Sequence, residues 1–245
     1  MRNFESMKNK KPKILNIETT GENCSVALSE GFSIKNLKEH KEGKSHASKL
    51  SVFIDQVLKD EQLSVQDLDA VSISKGPGSY TGLRIGVSTA KGLCYGADIP
   101  LVSVHTLQAL SQFLVEHADE YNINIPDNAY LVPMIDARRM EVYSAVLNAN
   151  NHFERNVQAE IIDADSYKEM LEERQVIFFG NGAHKCKELI THKNALFIDD
   201  IEFSAVNMVT LSNQQYANEA FEDVAYFEPF YLKDFRATTP KKGLF

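Results

Sequence analysis

From Lys13 to about Phe221 the chain passes twice through one order of elements, and this repetition limits the fold more than any motif does. In the first pass, alternating apolar runs at residues 14–18, 25–29 and 32–40 are separated by turn signals at Gly21-Glu22-Asn23 and near Gly31, which predicts an antiparallel meander. A helical pattern follows at 45–59, a strand at 70–74, a helix at 79–96, a strand at 101–104 and a helix at 106–116. After a polar connection at 119–128 the order returns. Strands are expected at 130–135, 142–148 and 153–162, a helix at 165–173, a strand at 176–179, a helix at 183–191, a strand at 195–198 and a long helix at 204–221. The expected fold class is therefore α/β, with two lobes of βββαβαβα order, each a mixed sheet flanked by helices. The corresponding division is a tail at 1–11, a first lobe at 12–118, a second lobe at 119–225 and a C-terminal tail at 226–245.

Composition agrees with two lobes. At 245 residues, 43% of them hydrophobic, the chain can bury one large core or two modest ones. Its 26 basic and 34 acidic side chains leave a net charge of -8, so a polyanion would be bound against the protein's own field unless a local patch or a partner supplied the contact. Cys24, Cys94 and Cys186 are odd in number, widely spaced and without a C-x-x-C pair, which points to a reducing, cytoplasmic setting and away from a structural zinc site. No apolar run approaches the ~18 residues of a membrane span, and the polar, basic first residues read as neither signal peptide nor anchor. Met7 could serve as the start as well as Met1.

The most distinctive local segment is Lys75-Gly76-Pro77-Gly78-Ser79-Tyr80-Thr81-Gly82-Leu83-Arg84-Ile85-Gly86, where a strand runs through a glycine turn into a helix. A helix N-terminus opened by Gly, Pro and Ser presents unpaired N–H donors that can hold an anion. The spacing fits neither a P-loop nor a dinucleotide fingerprint, because Thr81 stands where the last glycine of the latter belongs. A tight strand-to-helix connection accounts for the segment equally well.

Five segments together carry a resemblance to a known family: Ile14-Leu15-Asn16-Ile17-Glu18-Thr19-Thr20, Cys24-Ser25-Val26-Ala27-Leu28, the stretch from Gly76 to Gly86, Ile135-Asp136-Ala137-Arg138-Arg139-Met140-Glu141-Val142-Tyr143, and Pro229-Phe230-Tyr231-Leu232. In this order they resemble the TsaB (YeaZ) family, a bacterial subunit of tRNA threonylcarbamoyladenosine biosynthesis, from Lys13 to about Leu232. The resemblance implies a ribonuclease-H-like (actin-like, ASKHA) fold with two lobes facing each other across a cleft. It implies a non-catalytic role as heterodimer partner of the catalytic paralogue TsaD, with the ATPase TsaE completing the assembly. It further implies tRNA contact only through the complex, self-association when TsaD is absent, and no cofactor.

In actin-like phosphotransferases an acidic residue in the first hairpin helps place a metal and phosphates; here it is Glu18, one methylene longer than the Asp of many relatives. With Thr19 and Thr20 it reads either as the remnant of such a site or as hairpin closure by side-chain hydrogen bonds. Gly76, Gly78 and Ser79, and Asp136, Arg138 and Arg139 in the second lobe, would complete a vestigial nucleotide or anion site. The adjacent arginines could equally pair with Asp136 or Glu141. The paralogue holds its metal through two histidines four residues apart; Thr106 and Leu110 occupy those positions here, so no metal is expected. His105, His184, Cys186 and His192 are isolated. Ser79 has no neighbouring His, which leaves a peptidase without a triad. The resemblance makes two helices the partner surface: His46, Leu50, Phe53, Ile54 and Val57 on the first, and Gly82, Leu83, Gly86, Val87, Ala90 and Cys94 on the second. Packing on the lobe's own sheet is the alternative. Mid-helix glycine costs ~1 kcal/mol relative to Ala, so Gly82 and Gly86 require a close approach of some backbone. An actin-like ATPase and a peptidase are the competing functional classes.

Overall fold

The computed structural model describes residues 11–41 and 46–233. The expectations for the two termini, including the choice between Met1 and Met7, fall largely outside these residues. Two five-stranded sheets are present, ordered β3-β2-β1-β4-β5 and β10-β9-β6-β7-β8. The first holds β1 (Lys13–Glu18), β2 (Cys24–Glu30), β3 (Ser33–His40), β4 (Ala70–Ser74) and β5 (Leu101–Val104). The second holds β6 (Tyr130–Asp136), β7 (Glu141–Asn148), β8 (Phe153–Ile161), β9 (Val176–Phe179) and β10 (Ala195–Ile198). In each, the first three strands form an antiparallel meander and the fourth and fifth add in parallel. The two orders are the same when each lobe is counted from its own first strand. The chain is thus a two-lobed α/β protein of actin-like order, as the repetition in the sequence predicts.

The described residues include five α-helices: α1 (His46–Asp60), α2 (Tyr80–Ala97), α3 (Thr106–Glu116), α4 (Lys168–Glu173) and α5 (Val209–Ala217). Three helical expectations are corrected. The helix expected at 165–173 begins only at Lys168, after Tyr167 in a left-handed conformation. The helix expected at 183–191 is a three-residue 3-10 turn, His184–Cys186, followed by further turns. Ala183, Cys186 and Ile190 still face inward there, so the apolar spacing reported burial correctly but not a continuous helix. The long helix expected at 204–221 divides into a 3-10 turn, Ala205–Met208, capped by the Ser204 side chain, and the nine-residue α5.

The faces of the sheets differ in chemistry. One face of the first sheet presents Leu15, Ile17, Val26, Leu28, Val71 and Ile73 to α1 and α2 in a single apolar cluster. Strand alternation sends Asn16, Ser25, Ser29 and Ser72 to the opposite face. There the Ser25 hydroxyl accepts from the Ala205 amide (2.7 Å), the Ser72 and Ser212 hydroxyls bond at 2.7 Å, and Asn213 donates to the Gly31 carbonyl (2.8 Å). The second sheet is apolar on both faces, with Leu107, Leu110 and Leu114 of α3 on one and Tyr167, Leu171, Cys186 and Ile190 on the other. The helices that close each pass therefore change sides: α3 follows the first sheet and packs on the second, while α5 follows the second and packs on the first. Residue 118 lies between the strands of the two sheets, and each of these two helices packs on the sheet of the other pass.

Residues beyond α5 return to the first lobe as a strap. The Glu222 amide donates to the Leu101 carbonyl (2.8 Å), Lys91 donates to the carbonyls of Ala225 and Phe227, and the Phe227 ring joins the first lobe's core. In the stretch from 226 to 233, expected as the start of a tail, Phe227 is buried and the Phe230 amide bonds the Lys75 carbonyl, while most of the other residues are exposed. No helix of the described residues is long and apolar enough to cross a membrane.

Candidate functional site

The first hairpin and the start of α2 are in direct contact. The Ser79 amide donates to the Thr20 carbonyl (2.7 Å), and the Thr19 hydroxyl donates to the Gly82 carbonyl (2.9 Å). Gly78 and Gly82 make this approach possible: a Cβ would lie 2.5 Å from Thr20 Cβ at the first and 1.9 Å from the Thr19 oxygen at the second. At Gly86 it would lie 2.3 Å from Thr19 Oγ1. The close approach that these glycines require is thus supplied by the lobe's own hairpin, through the Thr19 backbone at Gly82 and the Thr19 side chain at Gly86.

Ser79 caps α2, its hydroxyl accepting from the Gly82 amide at 3.3 Å, so two donors of the turn are already satisfied within the chain. Gly76 adopts φ +110°, and the Phe230 carbonyl of the strap occupies the space beside it, 2.9 Å from where a Cβ would stand. Glu18 is buried at the base of the hairpin and accepts from both the amide and the hydroxyl of Thr20 at 2.5 Å. Burial pushes its carboxyl up from the ordinary carboxylate range, while bonds from Thr20, Ser74 and Thr19 pull it part of the way back. Ser74 in turn bonds Thr106 (2.7 Å). A buried polar chain, Glu18 to Ser74 to Thr106, therefore occupies the place where a phosphotransferase would present its first carboxylate. Leu110 is fully buried in the second lobe's core. A hydroxyl bonded to a serine and a leucine packed in a core do not fit a metal.

In the second lobe, Asp136, Arg138 and Arg139 share the β6–β7 hairpin. Arg138 and Arg139 both have positive φ, +73° and +51°, and the Arg138 amide donates to Asp136 (2.7 Å). Of the two readings for the arginines, pairing with Asp136 or Glu141 is not the one found: Asp136 pairs with Lys185 (2.6 Å) and Glu141 with Lys233. Both arginine side chains are exposed. His105 lies between the two lobes, edge-on to Phe153 on one side and to Phe230 on the other, at 5.6 Å from each ring. Burial and the Lys75 ammonium push its pKa down to about 4.

The proposed partner-facing residues of α1 and α2 are corrected as a set. His46, Leu50, Ile54, Val57, Gly82, Leu83, Gly86, Val87, Ala90 and Cys94 are all buried in the chain's own fold; only Phe53 of that set is partly open. The His46 ring bonds the Gly21 carbonyl (3.0 Å). What α2 shows to solvent is another line, Arg84, Ser88, Gly92 and Gly96 at four-residue spacing, with Tyr95 beside it at 86% exposure. A Cβ at Gly92 or Gly96 would meet nothing within 4 Å. On the neighbouring α1, Val52 is 45% exposed. The spacing of Gly92 and Gly96 is visible in the sequence; that they point outward is not.

The two-lobed fold with a helix-lined first lobe and a hairpin packed on α2 defines an actin-like α/β class. Within that class, the matching family model is TsaD, tRNA N6-adenosine threonylcarbamoyltransferase, over residues 38–241. The TsaB tRNA threonylcarbamoyladenosine biosynthesis protein of Haemophilus influenzae is 26% identical over 233 residues, covering 90% of this chain and 93% of the relative. Its Escherichia coli counterpart is 28% identical over 234 residues, covering 91% and 95%. The solved structure of YeaZ from Pseudomonas aeruginosa superposes with a TM-score of 0.74 at 19% identity, over 90% of this chain and all of that one. The chain belongs to this family, in its TsaB (YeaZ) branch.

Proposed function

We propose that this chain is a non-catalytic subunit of tRNA threonylcarbamoyladenosine formation that acts by binding the catalytic paralogue TsaD through α1 and α2, with TsaE completing the assembly. The outward line of α2 carries the proposal. Each of Gly92 and Gly96 costs ~1 kcal/mol of helix stability relative to Ala, and no neighbour among the described residues explains either. A facing helix brought close to them, with Tyr95 and Val52 alongside, accounts for both. The same face would serve self-association when TsaD is absent. The first-lobe carboxylate, Glu18, is held in internal hydrogen bonds, and Thr106 and Leu110 are held in packing, which supports a role without turnover. The net charge of -8 supports weak tRNA binding by the isolated chain.

Reconstitution with TsaD and TsaE from the same organism tests the reading. Gly92→Leu and Gly96→Leu are expected to leave the isolated chain's thermal transition intact while abolishing co-elution with TsaD and tRNA modification. Unchanged assembly and modification in both variants would overturn the α2 surface. Metal-dependent ATP hydrolysis by the pure chain, lost in Glu18→Gln, would instead make it an ATPase.

A further inference from the structure

The strap is anchored unevenly. Its first part is tied to the first lobe by the Glu222 to Leu101 bond and the two bonds from Lys91, and Phe227 is 8% exposed. Its last part leaves that anchor. The Phe230 amide donates to the Lys75 carbonyl (2.7 Å), Tyr231 lies on Tyr80 with ring centres 5.0 Å apart, and Lys233 reaches Glu141 in the second lobe. Phe230 and Tyr231 are 36% and 39% exposed, so the grip loosens toward the tip.

These contacts bridge the lobes. Two residues, Tyr231 and Leu232, separate Phe230, bonded to Lys75, from Lys233, paired with Glu141, a backbone span of at most ~10 Å. The strap meets the second lobe a second time through His105, whose ring stands edge-on between Phe230 and Phe153. Elsewhere the first sheet receives α5 and the turn before it on a face that combines serine and asparagine bonds with small apolar patches, Ile14, Ala70 and Val102 against Tyr216 and Val104 against Met208 and Leu211. The Phe230 ring of the strap adds a separate contact, through His105 to Phe153.

We propose that residues 227–233 are a latch between the lobes, with Phe227 as its fixed anchor and residues 230–233 as a tip that covers the turn at Lys75 and Gly76 and holds the β6–β7 hairpin close. Lifting the tip frees the Gly76 turn and lets the lobes move apart, while the anchor keeps the strap registered along α2 for reclosure. The device is independent of the partner reading, because it acts between two parts of one chain.

The test measures the distance between the lobes in the full-length chain. Spin labels are placed on cysteines introduced at the exposed Gln56 of α1 and Glu172 of α4. The native thiols do not compete: all three are buried, and burial raises Cys24 to about 11 and Cys94 to about 12. With the native strap a single narrow distance is expected. Phe230→Ala with Tyr231→Ala should broaden it and shift it to longer values. Lys233→Glu, a change at an exposed position that leaves the core untouched, should do so to a lesser degree, and adding Glu141→Lys should restore the narrow distribution. A distribution unchanged in both the folded aromatic variant and Lys233→Glu overturns the latch. Should the aromatic variant fail to fold, Lys233→Glu and its charge-swapped rescue decide the matter alone.

Discussion

The two ends of α2 carry glycine pairs of the same spacing in opposite surroundings. Gly82 and Gly86 are buried against Thr19, where a Cβ would overlap an oxygen atom. Gly92 and Gly96 face open space. One pattern therefore has two causes on one helix. The inner pair lets the hairpin at Glu18-Thr19-Thr20 lie against the helix, and the outer pair meets nothing among the described residues. A small-residue spacing in a sequence says that something comes close, and only burial says what.

The largest effect expected from this contrast is at the inner pair. Gly82→Ala places a methyl group where the Thr19 carbonyl stands and should cost about 2–4 kcal/mol in urea denaturation. A variant as stable as the parent would show that the helix can shift, and the contrast between the pairs would collapse.

Glu18 tests the hairpin beneath that end. Burial raises its folded pKa, so the folded chain keeps a proton that the unfolded chain has already lost. Stability then falls as pH climbs from the ordinary carboxylate range through the folded value. Glu18→Gln has no proton to lose and can still accept the Thr20 bonds. Its melting temperature should exceed the parent's by a margin that grows with pH across that window and disappears below it. A margin independent of pH would mean that Glu18 is not desolvated.

At the outer pair the sign reverses. Gly92→Ala and Gly96→Ala should each stabilise the isolated chain by about 0.5–1 kcal/mol, since alanine loses less entropy in a helix and nothing stands in its way. Destabilisation by either would reveal an intramolecular contact. The smallest effect on folding belongs to Tyr95→Ala, at most about 0.5 kcal/mol for so exposed a ring. On the proposed partner surface the same change should cost about 1–2 kcal/mol of TsaD affinity by titration calorimetry.

The sequence conveyed topology better than orientation. Both short strands Val176–Phe179 and Ala195–Ile198 lie at their predicted bounds, because brief apolar runs between turn signals have few alternatives. The stripes of α1 and α2 were legible as apolar arcs, yet an arc wide enough for a sheet looks the same as one that also meets a partner. The turns after Ala183 follow helical spacing without forming a continuous helix, so the spacing there reports burial alone. At the candidate site, Glu18 and Thr20 are adjacent in sequence and their bonding could be anticipated. The links from Glu18 to Ser74 and from Ser74 to Thr106 depend on strands meeting side by side, which no local pattern encodes. Pro229-Phe230-Tyr231-Leu232 stood out as a motif, but its seat on Lys75 and Tyr80 is a long-range contact.

The trading of α3 and α5 between sheets bears on how the chain is made. A ribosome that has released the first 118 residues has delivered every strand of the first sheet, together with a helix whose Leu107, Leu110 and Leu114 have nothing yet to pack against. The polar face of that sheet waits for Ala205 and Ser212, and its core waits for Phe227. Neither lobe can be finished while the other is unfinished, so the growing chain must hold exposed leucines until nearly its whole length has emerged, with chaperone dependence as the natural consequence.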